Sequence, residues 1–238
     1  MLDAPMQSWG TSSRFQRRGT DPVPSKSGVL GLVAAALGID KDAPDEPERL
    51  APLAALGFSV HRFPRLRAGQ PLPILRLTDY HTVGGGYHGD TDRWARLSIP
   101  RKASGGPFGT VLTQREYLTD AVFAAVLQGP RGLLENIEAA LRDPVWGVWL
   151  GRKSCVPATP VHAILANDLT VALARLAELV QNSFPSGAPL PWTLAPAVPL
   201  VRDLTSEESN APQDGADTRT DQPLSYGRRL HATRTIRG

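Results

Sequence analysis

The chain has 238 residues, 41% hydrophobic and 21% charged, with a formal net charge of +3, which describes a globular protein with chain enough for one large or two small cores. Its longest apolar run, Val29 to Ile39, is broken by Gly31 and Gly38 and is too short to span a bilayer, so no membrane partner is expected; Met1 to Ala4 has neither the basic start nor the apolar stretch of a signal peptide. The single cysteine, Cys155, excludes an internal disulfide and fits a reducing cytosol.

In chain order, Pro22 and Pro24 punctuate a loop, after which Ser25 or Ser27 can cap a helix. Val29, Leu30, Leu32, Val33, Ala36 and Leu37 give that helix a broad apolar face, closed by Gly38. A short helix is predicted over Glu48 to Leu56 and a strand over Phe58 to Phe63. Alternation from Ile74 to Asp79 predicts a strand leading into a long insert with glycines at 84 to 86 and at 105 to 106. With few core residues, that insert reads as a protruding hairpin or an arm. Tyr117 to Leu127 fits a strand, although Asp120 to Gln128 fits a helix equally well. Leu133, Leu134, Ile137 and Leu141 recur at helical spacing between Pro130 and Pro144. Val145 to Leu150 then reads as a short strand that buries Trp146 and Trp149. Beyond Cys155 the pattern weakens to a helix at Leu169 to Gln181, a proline-rich loop to Pro199, an acidic surface loop at Asp203 to Gln222, and a last strand at Leu224 to Ile236. The order of helix, strands, helix and strand defines an α+β, ferredoxin-like sheet with helices on one face, provided that Met1 to Ala4 supply its first strand.

Two phrases place a lysine among hydroxyl or glycine residues where irregular chain meets an apolar element: PSKSGVLGLVAAALG at 24 to 38 and LGRKSC at 150 to 155. Unpaired N–H groups at a helix start and the positive end of its dipole hold phosphate well. Neither phrase has Walker spacing, so a nucleotide hydrolase is not expected. His81, His88, Asp90 and Asp92 lack rigid ligand spacing, and His61, His162 and His231 stand alone, so neither metal nor cofactor is expected. Cys155 has no adjacent base and reads as a buried structural thiol. Tyr80 and His81, with Lys26 or Lys153, offer a phenol, an imidazole and an ammonium for metal-independent attack by a 2′-hydroxyl, a reading ranked below a non-catalytic binding role. Only four of the 26 basic residues are lysine, so clustering carries more meaning than number. Arg14, Arg17, Arg18 and Lys26 face Asp21 alone, and Arg93, Arg96, Arg101 and Lys102 have no acid among them. Trp9 and Phe15 interleave with the first cluster and Trp94 with the second, a mixture suited to stacking and pairing with single-stranded RNA.

LDAPMQSWG at 2 to 10, PSKSGVLGLVAAALG at 24 to 38, DYHTV at 79 to 83, TQREYLTDAVFAA at 113 to 125 and LGRKSCVP at 150 to 157 together resemble the Cas-five family, in its branch of type I-E CRISPR interference complexes (Cascade). The resemblance implies an RNA-recognition-type, ferredoxin-like core over 1–154, with a thumb insert at about 84–109 and an irregular extension over 155–238 packed on the core. It implies a cytoplasmic, non-catalytic antiviral subunit that binds the 5′ handle of the CRISPR RNA. Its partners would be the neighbouring backbone subunit and the large subunit, with target DNA met only inside the complex. By position, Gln7, Ser8, Trp9 and Gly10 begin the handle-facing loop, Ser25, Lys26 and Ser27 match a helix-start phosphate site, and Arg152, Lys153 and Ser154 match a second basic phrase. A sister branch, in type I-C systems, cuts precursor RNA itself, which makes a metal-independent endoribonuclease the alternative. A stand-alone RNA chaperone would need no large partner surface, and the long thumb argues against it.

Overall fold

A computed structural model describes residues 1–10, 13–14, 16–84, 109–182, 193–204 and 216–237. The first part of the chain forms β1 (Leu2–Asp3), β2 (Met6–Gln7), β3 (Ser13–Arg14), β4 (Arg17–Arg18), α1 (Lys26–Ala36), α2 (Glu46–Ala54), β5 (Gly57–Arg62), β6 (Arg65–Arg67) and β7 (Gln70–Pro71). Then come β8 (Leu75–Gly84), β9 (Thr110–Thr119), β10 (Val122–Gln128), α3 (Arg131–Arg142), α4 (Leu169–Asn182), β11 (Thr193–Leu194), β12 (Val198–Asp203), β13 (Ala216–Ser225) and β14 (Leu230–Arg237). The main sheet runs β1-β10-β5-β12-β14-β13, and every pairing in it is antiparallel. Its β1-β10-β5 end, with α1 between β1 and β5 and α3 after β10, has the ferredoxin-like order.

Alternation along β10 divides the core between the two sheet faces. Phe123 packs with Val29 and Leu32 of α1 and with Phe58 and Val60 of β5, while Val122 and Ala124 point the other way onto Leu176 and Val180 of α4. A second layer joins Leu30 and Val33 of α1 to Leu50 and Leu53 of α2 and Ile137 of α3. Full burial of each such side chain contributes about 1.5–3 kcal/mol relative to leaving it in water. The two residues of β1 could not hold an edge alone. Asp3 is ion-paired with Arg65, which also reaches Asp120 at 3.3 Å, and the Asp3 carbonyl accepts from the Ala158 N–H at 2.8 Å.

Residues 110–128 form two strands rather than one strand or a helix, because the chain reverses at Asp120, whose φ of 54° is a left-handed conformation that aspartate tolerates. β8 and β9 pair over ten registered positions, Leu75 opposite Thr119 through Gly84 opposite Thr110, so the insert expected at 84–109 stands on a long two-stranded stem.

The expected strand at Val145–Leu150 does not form. Its N–H groups turn to the end of α1, Val145 donating to the Ala36 carbonyl at 3.0 Å and Trp146 to that of Ala35 at 3.2 Å. Leu150 keeps one link to the sheet side, its carbonyl accepting from the Ser8 N–H at 3.1 Å. Pro144 and Gly147 break the run, and the carbonyls at the helix end capture it. The stretch 155–238 is more regular than its sequence suggests: it supplies α4 and three strands of the main sheet. The acidic loop expected at 203–222 gives way to β13 from Ala216 onward, and the last strand is half of the β13–β14 hairpin.

That hairpin is fastened by a buried ionic cluster. Arg234 donates from Nε to Asp221 Oδ1 at 2.6 Å and from a terminal nitrogen to Asp221 Oδ2 at 2.9 Å, and pairs also with Asp203. Lys26 Nζ lies 3.2 Å from Asp203 Oδ2, and the Lys26 N–H donates to Asp221 Oδ2 at 2.9 Å. Glu46 at the start of α2 accepts from the Ser225 hydroxyl at 2.6 Å and the Tyr226 N–H at 2.7 Å, so the hairpin turn is held as well.

Two predictions follow from burial. Asp221→Ala leaves the Arg234 guanidinium buried without its bidentate partner, and chemical denaturation should show a loss of about 3–5 kcal/mol; a loss below about 1 kcal/mol would show that the cluster does not carry the fold. His61 is buried in β5 between β10 and β12, and desolvation lowers its pKa below the ordinary value. As pH falls below about 6.5, the unfolded chain takes up this proton first, so the contribution of His61 is full above that pH and lost as pH drops towards the lowered folded value. Urea melts at pH 7.5 and 5.5 should show a smaller pH dependence in His61→Gln than in the wild type.

Candidate nucleic-acid interface

The start of α1 is built as the sequence predicts, with Ser25 capping it through a 3.2 Å bond from the Gly28 N–H. Its use differs. The Lys26 N–H, which would face a phosphate, is taken by Asp221, and the Lys26 side chain is 3% exposed and committed to Asp203. Lys26 therefore serves as a structural cation, its donors committed to strand carboxylates 177 and 195 positions along the chain.

The handle-facing loop is also partly interior. Gln7 is fully buried and donates to the carbonyls of Leu2 and Ala121, while Trp9 is 1% exposed, its indole N–H donating to Gln7 Oε1 at 3.0 Å. Gln7 and Trp9 thus pack the core, and Trp9 offers no face to a base. Ser8 is buried, and Gly10 is exposed. In the second phrase, Arg152 donates to the carbonyls of Glu116 at 2.8 Å, Arg18 at 2.7 Å and Gly19 at 3.1 Å, and its guanidinium lies 4.8 Å from the Tyr117 ring centroid. Carbonyls satisfy its hydrogens and leave its charge uncompensated. Lys153 and Ser154 are exposed beside it, the Ser154 hydroxyl 3.5 Å from that of Tyr117.

These separate phrases converge. Ser8, Trp9, Gly10, Arg18, Ser25, Ser27 and Arg152 line one cleft of about 400 Å³, with Gly19, Gly28, Gly31, Leu32, Ala35, Gly147, Trp149, Gly151 and Tyr226. Glycines let the backbones meet: at Gly151, whose φ is 97°, a Cβ would lie 1.7 Å from the Ser8 carbonyl oxygen. Next to Arg18, which is exposed, Arg17 shares Glu116 with Arg76 at 3.8 and 3.2 Å. Trp149 and Trp146 correct the expectation of burial. They are 36% and 44% exposed, because their segment caps α1 instead of joining the sheet, and Trp149 faces the cleft. Its position two residues before Gly151-Arg152 was the available signal. Tyr226 was missed, since nothing local ties a turn near the end of the chain to α1; its hydroxyl donates to the Ser27 carbonyl at 2.6 Å, and burial pushes its pKa well up.

Arg14 lies in β3, its side chain outside the described residues, as are Phe15, Trp94, Arg93, Arg96, Arg101 and Lys102. The catalytic alternative does not assemble. Tyr80 and His81 are consecutive in β8 and so project from opposite faces of the hairpin, His81 sits 3.4 Å from Asp79, and Lys26 is enclosed elsewhere. Cys155 is buried, which raises its thiol pKa.

A ferredoxin-like sheet with an extended hairpin and an arginine-lined cleft defines an RNA-recognition-type scaffold. The chain belongs to the CRISPR-associated protein (Cas_Cas5) family, whose model matches residues 1–237. It is 29% identical over 227 residues to the CRISPR system Cascade subunit CasD of Escherichia coli (strain K12), covering 91% of this chain and 95% of that one. Among solved structures it resembles a chain of a CRISPR RNA-guided surveillance complex, with 30% identity, a TM-score of 0.60, and coverage of 99% of this chain and 86% of that one. A second, described as the crystal structure of a Cas protein, is 29% identical with a TM-score of 0.56 and coverage of 99% and 90%.

Gly151→Ala should lose about 1–3 kcal/mol from backbone strain alone, with more from the overlap at Ser8. A urea titration of the variant measures it.

Proposed function

We propose that this chain is a non-catalytic subunit of a type I-E CRISPR interference complex (Cascade) that binds the 5′ handle of the CRISPR RNA. The observation that carries this reading is the convergence of three sequence phrases on one cleft where Arg152 has no carboxylate partner among the described residues. The similarity to a Cascade subunit and to a chain of an RNA-guided surveillance complex supports it. In this reading Arg18, Lys153 and Arg152 supply positive charge at the handle, Ser27 and Gly10 line its path, and Arg14 and Arg17 extend the basic face.

The segment at about 84–109, entered from the β8–β9 stem, serves as the thumb that wedges into the guide near the junction of handle and spacer. Arg93, Arg96, Arg101 and Lys102 meet phosphates there. The large subunit packs at the handle end, target DNA is met only within the assembly, and the whole works as a cytoplasmic antiviral ribonucleoprotein. Residues 1–154 act as the RNA-binding core and 155–238 as the extension that braces it. No helix among the described residues is long and apolar enough to cross a membrane.

Binding through phosphates makes affinity fall with salt, with a slope of about −0.7 per contact on a single strand. Filter binding of handle RNA over a salt series should show this, and Arg18→Ala with Lys153→Ala should make the slope shallower by about 1.4. A slope unchanged by the pair would remove these residues from the interface. Incubated with precursor repeat RNA, with or without magnesium, the wild type should produce no cut; site-specific cleavage lost in Tyr80→Phe or His81→Ala would return the endoribonuclease reading.

A further inference from the structure

We infer, on the basis of the handle-binding reading, that the cleft takes a single unpaired nucleotide whose base stacks on Trp149 while its phosphate lies at Arg18 and Arg152. Trp149 is 36% exposed and lines the cleft. Its indole packs closely on the Gly147 backbone, where a Cβ would come within 2.8 Å of Trp149 Cζ2, and a ring held in this way is a stacking platform with little rotamer freedom left to lose.

The dimensions suit one nucleotide. A volume of about 400 Å³ lies at the small end of ligand clefts, which run to about 1,000 Å³. Tyr226 also lines the cleft, its hydroxyl already donated to the Ser27 carbonyl, so it fills space there without reading a base. Arginines supply the charge. Arg18 is exposed, and Arg152 is held by carbonyls that leave its full positive charge facing the cleft.

The same lining sets the selectivity. The one side-chain hydroxyl facing the cleft without a hydrogen-bond partner among the described residues is that of Ser27, and a hydroxyl both donates and accepts. It therefore accommodates any base edge, and stacking is available to every base. The site requires a base and tolerates which one.

The test uses the full chain and synthetic handle RNAs, each carrying 2-aminopurine at one position. Wild-type protein should quench fluorescence at one position, and Trp149→Ala should abolish that quench and weaken binding roughly 5- to 150-fold, with Trp149→Phe recovering most of it. Removing the base at that position should reproduce the loss and make Trp149→Ala silent, whereas exchanging the base should change affinity little. Thermal melts of both variants establish that they are folded. Tight RNA binding with no quench dependent on Trp149, or equal quenching along the handle, overturns this inference alone. Absence of any handle binding by the wild type overturns the handle reading with it. Unchanged RNA affinity combined with loss of the variant from the assembled complex would assign the cleft to a side chain of a partner subunit and overturn the inference.

Discussion

Lys26, Asp203, Asp221 and Arg234 form the cluster on which the rest of the architecture leans. Two cations and two carboxylates close it at zero net charge in a place where the Asp221 and Arg234 side chains are 1% and 6% exposed. Isolated ions there would be prohibitive, and the arrangement is tolerable because each carboxylate receives more than one donor. The cluster also decides where α1 sits. Asp221 takes the Lys26 N–H, so the helix start is neutralised by a strand carboxylate and locked to β13 and β14. Every wall of the cleft that belongs to α1 inherits that position.

The cleft itself is made by backbone more than by side chains. Gly28 admits the Trp9 ring, where a Cβ would lie 2.9 Å from Cε3, and Gly151 admits the Ser8 carbonyl. Arg152 then ties β9 to the 18–19 segment through three carbonyls, one side chain joining loops that are distant in sequence. An arginine paired with carboxylates would have had its field cancelled; this one does not.

What the sequence made legible was local. The Ser25 cap, the positive-φ Gly38 after α1, the helix between Pro130 and Pro144 and the long hairpin all announce themselves within a few residues, through capping, glycine and proline chemistry and periodicity. The misreadings are those where partners lie far along the chain. Lys26 looks like a phosphate ligand until Asp203 and Asp221 arrive from the other end. Asp217 and Asp221 look like loop residues, yet they lie in a strand, and Asp221 is satisfied across the ladder by Arg234. The tryptophans exchanged roles for the same reason: Trp9 follows an interior glutamine and is drawn inward, whereas Trp149 sits in a segment diverted to cap α1. The cleft was legible as a set of phrases, and its shape was not.

The ionic cluster also imposes an order in time. Lys26 and its partner Asp221 are separated by 195 positions, and Tyr226 reaches Ser27 across 199. A growing chain that has emerged only through β10 has α1 but not its counter-charges, so the lysine and the helix start remain solvated and the cleft lacks Tyr226. Such long-range closure is slow compared with helix formation. The cleft is therefore completed last, when synthesis has passed β14, and a nascent or truncated chain lacks part of its lining.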